Sequence, residues 1–128
     1  AIRLRQNYYE KGVLFMHGHE SLQAQENYEA IRNCKTIVIG HIHPAVSLRD
    51  EVGVRHKYRV LLKGEYKGRE LIVLPSLSPL AGGIDLANPD FTSENFSPVF
   101  DACDWGEFVP FVLDAEAGVK EFPKVKYL

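Results

Sequence analysis

Two short, unbroken apolar runs, Val13-Leu14-Phe15-Met16 and Thr36-Ile37-Val38-Ile39, constrain the fold of this chain more than any other feature. A run of about four to eight such residues, rich in β-branched and aromatic types, reads as a strand buried inside a sheet rather than one at its edge. Both runs stop in the same way. The first ends at His17-Gly18-His19 and the second at Gly40-His41-Ile42-His43-Pro44. Between them, from about Leu22 to Asn33, the positions Ala24, Tyr28 and Ile31 recur at helical spacing and Ser21 offers a cap, which predicts an amphipathic helix. Strand, helix and strand predict a parallel crossover unit in an α/β fold, with both strands inside the sheet. Both histidine clusters then lie at carboxyl ends of neighbouring strands, the edge of an α/β sheet where ligands bind.

Beyond Pro44 the texture changes to strand-like stretches separated by turn residues. Tyr58 to Lys63 and Glu70 to Leu74 flank Gly64-Glu65-Tyr66-Lys67-Gly68-Arg69, which predicts a hairpin with a loop of several residues. Pro75-Ser76-Leu77-Ser78-Pro79, Ala81-Gly82-Gly83 and the stretch from Leu86 to Asp104 read as loops. Glu107 to Leu113 and Val119 to Tyr127 flank Asp114-Ala115-Glu116-Ala117-Gly118, predicting a terminal antiparallel hairpin. No repeat or linker divides the chain. With 128 residues, 45% hydrophobic and 25% charged, it is expected to form a single domain over residues 1–128.

The net charge of -2 supplies no global basic field, so contact with nucleic acid would need a local patch or a metal. Cys34 and Cys103 have no metal-finger or CxxC spacing and read as free thiols of a reducing compartment. No apolar run approaches the roughly 18 residues that span a bilayer, and the stretch from Ala1 to Gly12 lacks the apolar segment of a signal peptide. The expectation is a cytoplasmic protein with no membrane partner.

His17, His41 and His43 are the candidate metal ligands. Imidazole is a common ligand of zinc, manganese, iron and nickel, and an HxH pair leaving a strand can turn both rings to one side. Gly40 lets the backbone approach an ion, and Pro44 stiffens the exit. His19, two residues from His17, is a candidate for contacting substrate or orienting a ligand.

The string Gly40-His41-Ile42-His43 resembles the GHxH motif that closes the pattern of the calcineurin-like metallophosphoesterases. Phe15-Met16-His17-Gly18-His19 is similar to the motif that precedes it there. With Pro44-Ala45-Val46, Leu74-Pro75-Ser76 and Ala81-Gly82-Gly83, the likeness is to a subgroup of archaeal proteins and of bacterial phosphoesterases encoded near DNA ligase and helicase genes. It covers roughly residues 13–86. The resemblance implies the carboxy-terminal half of a calcineurin-like phosphoesterase β-sandwich flanked by helices. It also implies a two-metal site of divalent manganese, iron, nickel or zinc. His17 and His41 would share one ion, His43 would hold the other, and the three would form the catalytic set. The implied activity is hydrolysis of phosphomonoesters or phosphodiesters, with nucleic acid among the candidate substrates.

The family pattern begins with DxH, GDxxH and GNH[DE], and none of these occurs here. A bridging carboxylate normally holds the two cations about 3.5–4 Å apart. Asp50, Asp85, Asp90, Asp101, Asp104 and Asp114 match none of its motifs and read as turn or surface residues. The chain is therefore expected to pair with an amino-terminal half of the same domain or with a second chain, or to form a homo-oligomer, covering the apolar sheet face that a half sandwich exposes. The rival expectation is a non-catalytic metal-binding or assembly module. Arg49, Arg55, His56, Lys57 and Arg59 could help hold phosphate or form a solvated face. Gly82 and Gly83 read equally as an anion-binding turn or a plain one. Trp105, Phe91, Phe96, Phe100 and Phe108 read as core and loop cover.

Overall fold

Strands predominate over a few very short helices in the computed structural model, which describes residues 2–78, 80–92 and 96–128. Pro79 and residues 93–95, inside two of the expected loops, lie outside the described residues, as does Ala1. The order is β1 (Asn7–Glu10), β2 (Val13–Met16), α1 (Tyr28–Ile31), β3 (Thr36–Ile39), β4 (Pro44–Arg49), β5 (Arg55–Tyr66) and β6 (Arg69–Val73). It continues with β7 (Ile84–Asp85), α2 (Pro98–Asp101), β8 (Val109–Asp114) and β9 (Gly118–Glu121), with single 3-10 turns at Trp105–Glu107 and Val125–Tyr127. The protein is thus a mixed α/β structure whose core is mostly sheet.

Among the described residues nine strands form one sheet, whose main path runs β1-β2-β3-β6-β5. β2 and β3 pair in parallel, as do β3 and β6, so the two apolar runs are interior strands. The register Met16↔Ile39↔Val73 brings the three carboxyl ends to one level. β1 closes the edge antiparallel to β2. β5 changes neighbours along its length, since residues 55–59 pair with β4 while residues 60–66 serve β6 and β8. β8 and β9 form the terminal hairpin, and β7 adds a short parallel pair to β4.

The expected helix from Leu22 to Asn33 is reduced to the four residues of α1. Asn27 holds a left-handed conformation (φ 54), which a helix cannot continue through, so only the turn after it is helical. The preceding stretch is tied to the amino-terminal segment instead: Glu26 N–H donates to Gln6 Oε1 at 2.6 Å, and Asn7 Nδ2 donates to Gln25 Oε1 at 3.2 Å. Leu22 and Ile31 are buried, whereas Ala24 faces solvent. The expected loop at residues 64–69 also shrinks. β5 runs on through Gly64 to Tyr66, and the hairpin turns on Lys67 and Gly68 alone, both at positive φ (45 and 79), the backbone that suits tightly twisted two-residue hairpins. A Cβ on Gly64 would meet the Phe108 ring at 2.3 Å, so glycine there marks close packing and not a turn.

Leu14, Met16, Ile37, Ile39, Leu71 and Val73 point from β2, β3 and β6 into the core, where Leu22, Ile31, Phe100 and Phe108 cover them. The opposite face carries the cross-strand row Tyr8↔Phe15↔Val38↔Ile72. Val38 is buried and Ile72 partly so, but the β1–β2 end of the row is open. Tyr8 is 50% exposed, Phe15 45%, and neighbouring Leu74 42%. Among the described residues no helix is long and apolar enough to cross a membrane.

Candidate metal centre

Three parallel strands finishing at one level set up the site. After Met16 the chain passes into His17-Gly18-His19, and after Ile39 into Gly40-His41-Ile42-His43. The two loops are joined through Gly40 N–H, which donates to His17 O at 3.1 Å. Gly18 (φ 103) lies so close to β3 that a Cβ would meet Ile39 Cβ at 3.0 Å, so only glycine lets the loops approach this way. His41 and His43 both hold positive φ (63 and 53), and Ile42 N–H closes a three-residue turn on Gly40 O at 2.7 Å. Left-handed backbone at two bulky residues is strain of the kind that collects at functional sites.

These constraints gather three of the four histidines singled out in the sequence. The His17 and His41 rings lie with centroids 4.9 Å apart, His17 and His19 5.1 Å, and His19 and His41 6.2 Å. His17 Nε2 is 3.0 Å from His41 Nδ1. The other nitrogen of His41, Nε2, is 3.1 Å from Phe96 O. A carbonyl only accepts, so neutral His41 carries its proton on Nε2 and offers a lone pair at Nδ1. His17 Nε2–H is then the donor between the rings. Partial burial, followed by the charges that His41, His19 and His43 would carry, holds the His17 imidazole below the ordinary histidine pKa.

The separation of the two nitrogens is one that a shared metal ion would also give. Imidazole nitrogens bind such ions at about 2.1 Å, so two on one ion stand about 3 Å apart when their bonds meet near a right angle. His41 also has the outer hydrogen bond, to a backbone carbonyl, that ligating histidines usually have. His19 sits beside this pair, and its Nε2 is 3.1 Å from Glu20 Oε1 at the exposed rim. His43 is placed differently. It is exposed and lines, with His41, Gly82, Gly83 and Phe96, a cavity of about 470 Å³. Its carbonyl accepts from Ile84 N–H at 2.8 Å, and a Cβ on Gly83 (φ 71) would crowd that carbonyl at 3.1 Å. Among the described residues no three His, Cys, Asp or Glu side chains converge as a group able to hold an ion unaided. The histidines therefore form a pair plus a neighbour and not a complete coordination sphere.

Of the aspartates considered as turn residues, Asp101 accepts from Phe96 N–H beside this centre, while Asp50, Asp85 and Asp114 are engaged in turns and ion pairs. Asp50 accepts from Val52 and Val54 N–H and faces His56, while Asp85 accepts from Ser47 and Ala87 N–H and from Arg55. Asp114 caps the β8–β9 turn. The basic stretch is likewise engaged: Arg49 bonds Gly53 O, and Lys57 bonds Gly83 O at 2.8 Å. Phe100 and Phe108 are core, and Trp105 packs edge-on against Phe91 at 4.9 Å. Cys34 and Cys103 are free thiols.

Two contributors escaped the sequence reading, the Phe96 carbonyl and Ser97. A carbonyl has no residue-type signature. Ser97-Pro98, however, is a helix-start signal, with a capping serine followed by proline in the first turn. A larger cavity of about 670 Å³ opens on the other side of His17, between its loop, Phe15, Leu74 and the segment carrying Arg3 and Arg5. Comparison of the chain with known protein families, with curated proteins and with solved structures gives no match.

Proposed function

We propose that this chain supplies the histidine ligands of a divalent-metal phosphoesterase site of the calcineurin-like kind, in a sandwich completed by carboxylate-bearing polypeptide. One observation carries the reading: His17 Nε2 and His41 Nδ1 face each other at 3.0 Å from adjacent parallel strand ends, with the far nitrogen of His41 bonded to a carbonyl. His17 and His41 would hold one ion, and His43 would hold a second from the cavity it shares with His41. When bound, such a cation pair polarises a phosphoryl oxygen and activates water.

The chain's own residues hold and orient. The turn at His41 aims Nδ1 toward His17, while Gly82 and Gly83 line the cavity beside His43 where a phosphoryl group would sit. His19 is at hand to bond a substrate oxygen. The carboxylates come from an amino-terminal half or a second chain seated on the open face, which begins next to His17 and carries Phe15 and Leu74. Substrates are phosphomonoesters or phosphodiesters, with nucleic acid among them.

The incomplete donor group among the described residues favours a second reading for the chain alone: a metal-binding assembly module without catalysis. Metal content, and hydrolysis of bis-p-nitrophenyl phosphate with manganese, separate the two. Both are measured for the chain alone and mixed with the polypeptide that bears DxH, GDxxH and GNH[DE]. Activity that appears on mixing and is lost with His41→Ala supports the enzyme. Metal binding with no activity on mixing supports the module.

A further inference from the structure

We infer that Ser97 is a positioning residue for the histidine pair, its buried hydroxyl fastening the Phe96 carbonyl where that carbonyl fixes the proton of His41. The inference rests on the proposed role of His17 and His41.

Ser97 is 0% exposed and both sides of its hydroxyl are used. Oγ–H donates to Gly18 O at 2.6 Å, and Oγ accepts Phe100 N–H at 3.3 Å. The second bond is an ordinary helix cap that asparagine or aspartate could also make. The first is not required by α2. It spends a buried donor on a carbonyl 79 residues away, in the loop between His17 and His19. One residue earlier, Phe96 N–H donates to Asp101 Oδ2 at 2.9 Å. The chain around Phe96 is thus held from both sides, and its carbonyl is directed at His41 Nε2, 55 residues away.

These bonds close a loop of contacts through the site. Gly18 is pressed on Ile39, β3 leads from Ile39 into His41, His41 bonds Phe96 O, and Ser97 returns to Gly18. The consequence is chemical. With Phe96 O in place, His41 is locked as the Nε2–H tautomer and its Nδ1 lone pair faces His17. Freed from that carbonyl, the ring can rotate or move its proton to Nδ1, and the ligand atom is lost. Partners of this outer kind typically change metal affinity about 10- to 100-fold.

The test uses the full chain with Ser97→Ala, Ser97→Thr and Asp101→Ala. Asp101→Ala releases the Phe96 amide without emptying the buried serine site, and it substitutes if Ser97→Ala does not fold. Histidine tautomers are read in the metal-free protein by long-range proton–nitrogen NMR, and zinc affinity by competition calorimetry. The expected result is a single Nε2–H form of His41 in the native chain and in Ser97→Thr. Mixed tautomers, with zinc binding weakened about 10-fold or more, are expected in Ser97→Ala and Asp101→Ala. A folded Ser97→Ala that keeps the His41 tautomer and binds zinc within about twofold of the native chain overturns the inference. His41→Ala separates the two readings. If it abolishes zinc binding while Ser97→Ala changes nothing, the positioning role fails and the metal site stands. If the native chain binds no zinc yet the His41 tautomer still depends on Ser97, the metal reading fails and the positioning role stands.

Discussion

At the scale of single residues, the three histidines of the motif have unequal parts. His17 and His41 are coupled through 3.0 Å, whereas His43 is exposed and shares only a cavity with His41. Zinc titration of His17→Ala and His41→Ala is expected to lose the first binding event, and His43→Ala to keep it. A change of proton position should accompany binding. The metal-free network needs the His17 proton on Nε2, the atom that must give up its proton to ligate an ion. Saturation with zinc is therefore expected to move the His17 proton to Nδ1 while His41 stays Nε2–H, a switch visible in nitrogen chemical shifts. Gly83 tests the neighbouring wall. Its φ is positive, and an added Cβ would stand 3.1 Å from the His43 carbonyl. Gly83→Ala is therefore expected to destabilise the chain by about 1–2 kcal/mol in urea unfolding.

At the scale of elements, what could be read from the sequence depended on how many faces of an element are buried. β2 and β3 announce themselves because they carry apolar side chains on both faces, although only β3 buries both, and their glycine–histidine ends mark where the sheet stops. The region of α1 misleads because Ala24, Tyr28 and Ile31 match a helical period, while Asn27 in left-handed backbone, a tertiary choice, decides where helix begins. β1 is invisible as Asn-Tyr-Tyr-Glu, since an edge strand half open to water needs no apolar run. Gly64 reads as a turn residue but serves packing. Inserting a methyl at 2.3 Å from the Phe108 ring is expected to cost about 1–3 kcal/mol in Gly64→Ala, measured by thermal or urea unfolding. The histidines of the site were legible as residue types, whereas the carbonyl that sets the proton of His41 was not, because every residue has one.

At the scale of the whole molecule, two features lie at opposite ends of the stability question. Glu107 bonds both Lys124 and Lys126 and so pins the last turn, Val125–Tyr127, beside Trp105–Glu107. Those bonds hold its carboxyl down at about 2, below the ordinary 4.5. A depressed carboxylate contributes its full stability above the unfolded value and loses it as pH falls toward the folded one. The difference in melting temperature between the native chain and Glu107→Gln is thus expected to be largest near neutrality and to vanish as pH approaches about 2. The open face poses the opposite case, since Phe15 and Leu74 are only partly buried in the chain by itself. Phe15→Lys with Leu74→Lys is expected to lower its unfolding free energy by only about 1 kcal/mol, since both side chains are partly exposed. A covering polypeptide would bury the part of each side chain still exposed, worth about 1 kcal/mol apiece. If the carboxylate-bearing partner seats there, the double variant should keep the first zinc site at His17 and His41 but lose the hydrolysis gained on mixing. Undiminished activity in that mixture would place the partner on another surface.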